Sequence, residues 1–167
     1  RLVAAITATH IVFCACPSGV AKAPSVTSLF PSGGKQGSIV EVTVADVPEP
    51  WPSEVWTSHS GIKFDPIKEK KGVYKTTITA DTPTGPHLVR FFNAEGSSQL
   101  RIFFVGLAAE TAEVEPNDKL DDAQFLENTP VVINGRLGKN GDVDSFAFRA
   151  NKGDWIVAQC YAYSIDS

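Results

Sequence analysis

Two short stretches of this chain concentrate oxygen donors: Glu113-Val114-Glu115-Pro116-Asn117-Asp118 and, further along, Gly141-Asp142-Val143-Asp144. Between Gly106 and Ser145 there are nine acidic side chains against three basic ones. Calcium takes about six to eight oxygen ligands from carboxylates, amides and backbone carbonyls. In an extended segment Glu113 and Glu115 fall on one side, because side chains alternate with period two. Pro116 then fixes a bend that presents Asn117 and Asp118. Packed against the Asp142–Asp144 turn, Glu113, Glu115, Asn117 and Asp118 would bring about five or six hard oxygens together. Without a cation, so many carboxylates repel one another. A plainer reading uses the same residues: acidic linkers are commonly just solvated, and an Asn-Asp pair caps turns, with Asp118 placed to cap a helical turn through 120–125. The spacing of an EF-hand loop is absent.

Other reactive side chains are sparse. The histidines are His10, in an apolar leader, His59, in a Ser-His-Ser turn, and His87, after Gly-Pro at a strand start. None stands at metal-ligand spacing from another His or Cys. Ser58 and Ser60 flank His59, but neighbours on a strand or turn point apart, and no carboxylate is marked to orient the imidazole. The chain therefore reads as carrying no active site, and a hydrolytic role for His59 is not expected. Trp51 and Trp56 offer aromatic surface for stacking on sugars or peptides. Trp56, at strand spacing, is expected in the core; Trp51, between two prolines, is the better surface candidate.

The elements that must position these residues read as all-β. In the run 38–44, Val40, Val42 and Val44 alternate with Ile39, Glu41 and Thr43, a period of two with one apolar face. The turn residues 31–37 precede it. Further runs follow at 54–58, 62–64, 73–80, 87–93 and 99–105. Roughly seven strands in about 80 residues, without helical periodicity, point to an immunoglobulin-like β-sandwich over 24–106. Residues 107–122 read as an acidic linker. A second β-rich unit follows over 123–167, with runs at 130–137, 143–150 and 154–163. In the last run Trp155, Val157, Tyr161 and Tyr163 share one face, and Ile156, Ala158, Cys160 and Ala162 the other. With both faces apolar it is expected to be a central strand, its partners supplied by chain beyond Ser167.

The first 23 residues differ in kind. From Leu2 to Ala21 there is no acidic side chain, and Pro17 and Gly19 interrupt the apolar run. That suits a signal peptide better than a membrane span. Ala15, Ala21 and Ala23 offer cleavage positions. A lipid anchor on Cys14 or Cys16, or a buried N-terminal helix, are the rival readings. The chain starts at Arg1 and stops just after an apolar run, so both ends are expected to be cut. After cleavage Cys160 would stand alone as a small buried apolar residue. Net charge is −4 overall. Without a basic stripe, nucleic acid and anionic lipid are poor partners.

The sequence from about Glu110 to Ser167 resembles a known family. Glu113-Val-Glu-Pro-Asn-Asp118, Ala123-Gln124, Val132-Ile-Asn-Gly-Arg-Leu137, Gly141-Asp-Val-Asp-Ser-Phe-Ala-Phe148 and Lys152-Gly-Asp-Trp155 resemble the bacterial pre-peptidase C-terminal (PPC) domain, over roughly its first half. The stretches 29–37 and 83–96 resemble the module that precedes this domain in large secreted proteins of planctomycete-type bacteria. The resemblance implies a jelly-roll-like sandwich appended to secreted proteases and other exported proteins. It also implies calcium ligation by Glu113, Glu115, Asn117 and Asp118 in the opening motif and by Asp142 and Asp144 in the turn. The family's later ligands would lie beyond Ser167.

The expectation is a non-catalytic pair of extracellular modules, secreted, periplasmic or at the cell surface, with Ca2+ at the interdomain linker. An extracellular polymer or protein is the expected partner, with no membrane span once the signal is removed. The alternatives are accessory domains of a secreted hydrolase, a peptidase first, whose catalytic domain lies elsewhere, or a structural envelope protein of repeated sandwiches.

Overall fold

A computed structural model of the chain describes residues 22–162. The leader with His10, Cys14 and Cys16, and Tyr163 of the last expected strand, lie outside the described residues. The structure is all-β, with one short 3-10 turn at Leu120–Asp122 among the described residues.

Nine strands build a two-layer sandwich. One layer joins β1 (Leu29–Phe30), β3 (Ile39–Val44), β6 (Val73–Ile78) and β5 (Ile62–Pro66) in that order, all antiparallel. The other joins β2 (Gly33–Lys35), β9 (Arg101–Gly106), β7 (Gly85–Asn93) and β4 (Glu54–Thr57), with the two-residue β8 (Gly96–Ser97) beside β7. Only the β2–β9 pair in this layer is parallel. The period-two pattern turns one side of each strand inward. Val42 and Val44 are buried from β3, Tyr74 and Ile78 from β6, Val89 and Phe91 from β7, and Phe103 and Val105 from β9. Phe64 sits at the centre, its ring centroid 5.4 Å from Phe103, 6.0 Å from Tyr74 and 6.3 Å from Phe91 in edge-on contacts. Such tilted pairs add attraction to the burial itself.

The two tryptophans take places opposite to those expected. Strand β4 turns Val55 toward the core, so its neighbour Trp56 must face outward, and it is 49% exposed. Trp51, in the connection before β4, closes one end of the core with its ring 5.1 Å from Tyr74.

Beyond Val105 no apolar side chain among the described residues is fully buried. The acidic segment contains strand β10 (Ala109–Ala112), which pairs in parallel with β12 (Val131–Asn134). A second parallel pair joins β11 (Gln124–Phe125) to β13 (Phe146–Ala147). Among the described residues the run 154–162 forms no strand, and Trp155 is 98% exposed. A strand is held by ladder hydrogen bonds to a neighbour, and no described segment offers that neighbour. Cys160 is accordingly a free, exposed thiol rather than a buried residue.

Ring contacts tie this second region to the sandwich. The Arg136 guanidinium lies 3.7 Å over the Phe30 ring, and the Tyr161 ring stands 4.8 Å from Phe104 on the outer face of β9.

Candidate cation-binding site

Two parallel strand pairs of the second region bring the acidic stretches together. Register between β10 and β12 sets Ala112 opposite Asn134, and the ladder continues as the Glu113 amide donates to the Asn134 carbonyl at 2.9 Å. That fixes Glu113 beside Gly135 and Arg136, where the Arg136 amide donates to Glu113 Oε2 at 2.6 Å. From the other side, the Ser145 amide donates to the Asn117 carbonyl at 3.0 Å, and the Gln124 amide to the Ser145 carbonyl at 2.9 Å. Residues 142–145 are thereby laid against 115–118.

The result is a carboxylate trio. One oxygen each of Glu113, Glu115 and Asp144 lie within 4.8 Å of one another. Calcium–oxygen bonds of about 2.3–2.6 Å let ligands on opposite sides of one ion stand nearly 5 Å apart. The trio therefore has the span that a single cation fills. Asn117 is fully buried, its amide donating to Glu115 Oε2 at 3.0 Å while both its side-chain polar atoms lack hydrogen-bond partners. Glu113 Oε1 and Asp144 Oδ1 are likewise buried without a hydrogen-bond donor. Leaving a buried polar group unpaired costs about 1–3 kcal/mol, more if it is charged. Four such atoms in Glu113, Asn117 and Asp144, three of them oxygens, make a site that is unfavourable without a partner.

The electrostatics agree. Burial pushes the Glu113 carboxyl above its ordinary range, the Arg136 amide draws it back, and the charges of Asp144 and Glu115 push it up again. A divalent cation would relieve both the burial and the repulsion. Gly135 leaves the room for this carboxylate, since a Cβ there would stand 2.6 Å from Glu113 Oε2.

Asp118 and Asp142 form a second, adjacent pair that already has a cation: Lys139. Its Nζ is 2.9 Å from Asp118 Oδ2 and 3.5 Å from Asp142 Oδ1. The lysine contact holds the Asp118 carboxyl below its ordinary range. Asp142 Oδ2 accepts from the Gly138 amide at 2.5 Å. Asp118 does not cap the 3-10 turn: the capping position is Lys119, with no side-chain hydrogen bond. The six acidic and amide residues thus divide into a trio with Asn117 beside it and a lysine-neutralised pair. Sequence reasoning missed Lys139 and Gly135, although Lys139 lies three residues before Asp142 in the same turn. It also missed the pairing of His59 with His87, whose rings are 5.7 Å apart. In that pair His59 Nδ1 accepts from the Gly61 amide at 3.1 Å and His87 Nε2 lies 2.7 Å from the Pro83 carbonyl.

The fold and site together define an all-β chain that carries a cluster of three carboxylates. No protein-family model and no curated protein matches the chain. Among the described residues no helix is long and apolar enough to cross a membrane.

Proposed function

We propose that this chain is a non-catalytic pair of extracellular modules from a secreted bacterial protein, in which Ca2+ fastens the second module against itself and beside the first. The first module is read as immunoglobulin-like, and the second as the opening part of a PPC-type jelly roll. The observation that carries this reading is the carboxylate trio Glu113, Glu115 and Asp144, next to a buried Asn117 with unpaired side-chain atoms. Carboxylate and amide oxygens favour hard ions, and a flexible oxygen set without thiol or imidazole favours calcium over zinc. In this reading Glu113, Glu115, Asp144 and the Asn117 amide oxygen are the ligands; Asp118 and Asp142, bridged by Lys139, shape the turn that delivers Asp144. A bound extracellular polymer or protein, and service as accessory domains of a secreted peptidase, both fit a module of this kind.

The test is a calcium titration of the metal-stripped chain, followed by calorimetry and thermal melting. Calcium at a hundredfold excess over its dissociation constant adds about 2.7 kcal/mol of stability. The expected result is a calcium-dependent rise in melting temperature that disappears in Glu113→Gln/Asp144→Asn and shrinks in Asp118→Ala/Asp142→Ala. A melting curve that calcium leaves unmoved overturns the reading.

A further inference from the structure

The outer face of the five-stranded layer is apolar where a solvated face would be polar. Because Val89 and Phe91 of β7 are buried inward, Leu88 and Arg90 point outward, and by the same alternation Ile102 and Phe104 face outward from β9. Tyr161 covers Phe104 at one end of this face. At the other end Trp56, Leu88 and Leu100 surround Arg90 in a shallow hollow and are 49%, 39% and 40% exposed. Trp56 and Arg90 stand directly opposite each other in the β4–β7 register.

Arg90 is the informative residue. Its Nε is buried and has no hydrogen-bond partner, and no ion pair forms to it among the described residues. Glu54 lies on the same strand as Trp56 but opposite Phe92, two pairs further along. A guanidinium set beside indole and leucine side chains, its Nε shielded from water, is a strong donor. It pairs best with a planar carboxylate. The apolar rim asks for an apolar side chain next to that carboxylate. A sugar would need several polar partners for its hydroxyls, and of the four lining residues only Arg90 carries a strong hydrogen-bonding side chain aimed at ligand. Nucleic acid would need more than one cation on a chain of net charge −4. In addition, β4 is the terminal strand of its layer, so an extended chain can be added alongside it.

We propose that this hollow binds an extended segment of another protein in which an aromatic or aliphatic side chain adjoins an Asp or Glu. The side chain packs on Trp56, Leu88 and Leu100, and the carboxylate pairs with Arg90. The inference uses none of the cation ligands, so it stands or falls separately from the calcium reading.

The test pans a random heptapeptide display library against the full chain, then measures the enriched peptides by fluorescence anisotropy with and without calcium. Enriched sequences are expected to carry an apolar residue next to an acidic one. Binding should weaken about tenfold or more in Trp56→Ala and in Arg90→Gln. It should be retained in part in Arg90→Lys, with melting temperatures unchanged because both substituted side chains lie outside the core. Failure to enrich any peptide overturns the proposal. So does enrichment without acidic residues, or binding indifferent to Arg90→Gln. Glycan binding lost in Trp56→Ala, or self-association lost in Arg90→Gln, would assign the hollow to a sugar or to a second copy and overturn it equally.

Discussion

Arg136 holds Phe30 across the boundary between the two halves of the molecule: its guanidinium carbon lies 3.7 Å from the ring centroid. The same residue donates its amide to Glu113 Oε2 at 2.6 Å. One residue thus serves the carboxylate trio with its backbone and the sandwich with its side chain. A cation–π contact of this kind is worth about 0.5–1 kcal/mol when partly exposed. Arg136→Ala is therefore expected to speed proteolysis in the connection after Gly106 while leaving calcium affinity within about twofold. Limited proteolysis with a parallel calcium titration checks it. A large loss of calcium affinity would mean that the side chain, and not only the amide, supports the site.

Gly135→Ala removes no carboxylate of the trio, yet it crowds one. The new Cβ would stand 2.6 Å from Glu113 Oε2 and 3.8 Å from Asp144 Oδ2, too close for the first and ordinary contact for the second. The flexible end of Glu113 must move away. Calorimetry is expected to show calcium affinity falling about tenfold, with little change in the melting temperature of the metal-free protein.

Glu110 sets a pH dependence apart from the trio. Burial raises its carboxyl above the ordinary 4.5, against a hydrogen bond from Asn134 Nδ2 at 2.8 Å that lowers it. A carboxyl that holds its proton more tightly when folded contributes most favourably below about pH 4.5, and that contribution is lost as pH rises through the folded value. Glu110→Gln keeps the bond from Asn134 without the buried charge. The variant is expected to be more stable than the parent at pH 7, and the difference should vanish toward pH 4. Urea unfolding at several pH values measures this.

Tyr74→Phe tests the sandwich core. The Tyr74 hydroxyl lies 3.0 Å from Ser53 Oγ in a buried contact. Its loss is expected to cost about 1 kcal/mol, and leaves Ser53 partly unpaired. Phe91→Ala, which empties a fully buried ring position, should cost about 3–5 kcal/mol. Denaturant unfolding of both variants provides the comparison, and equal losses would contradict the packing described.

Much of the sandwich was legible in the residues. The alternation in 38–44 and the later runs correspond to β3, β4, β5, β6, β7 and β9, because a strand with one apolar face has one way to bury it. The acidic stretches were legible as oxygen donors for the same local reason: residue type is visible without coordinates. The tryptophans were not. Which side of β4 faces inward depends on the strand's pairing with β7, and one step of register separates Trp56 from Val55. The strand expected over 154–163 shows the same limit, since an apolar alternation becomes a strand only where a neighbour supplies hydrogen bonds.

Composition and periodicity were enough to mark this protein as all-β and to single out Glu113, Glu115, Asn117, Asp118, Asp142 and Asp144. Their division into a trio and a lysine-held pair arose from the parallel pairing of β10 with β12 and β11 with β13. Distances between groups far apart along a chain are set by which backbones pair, and that pairing is not written in any local stretch of residues.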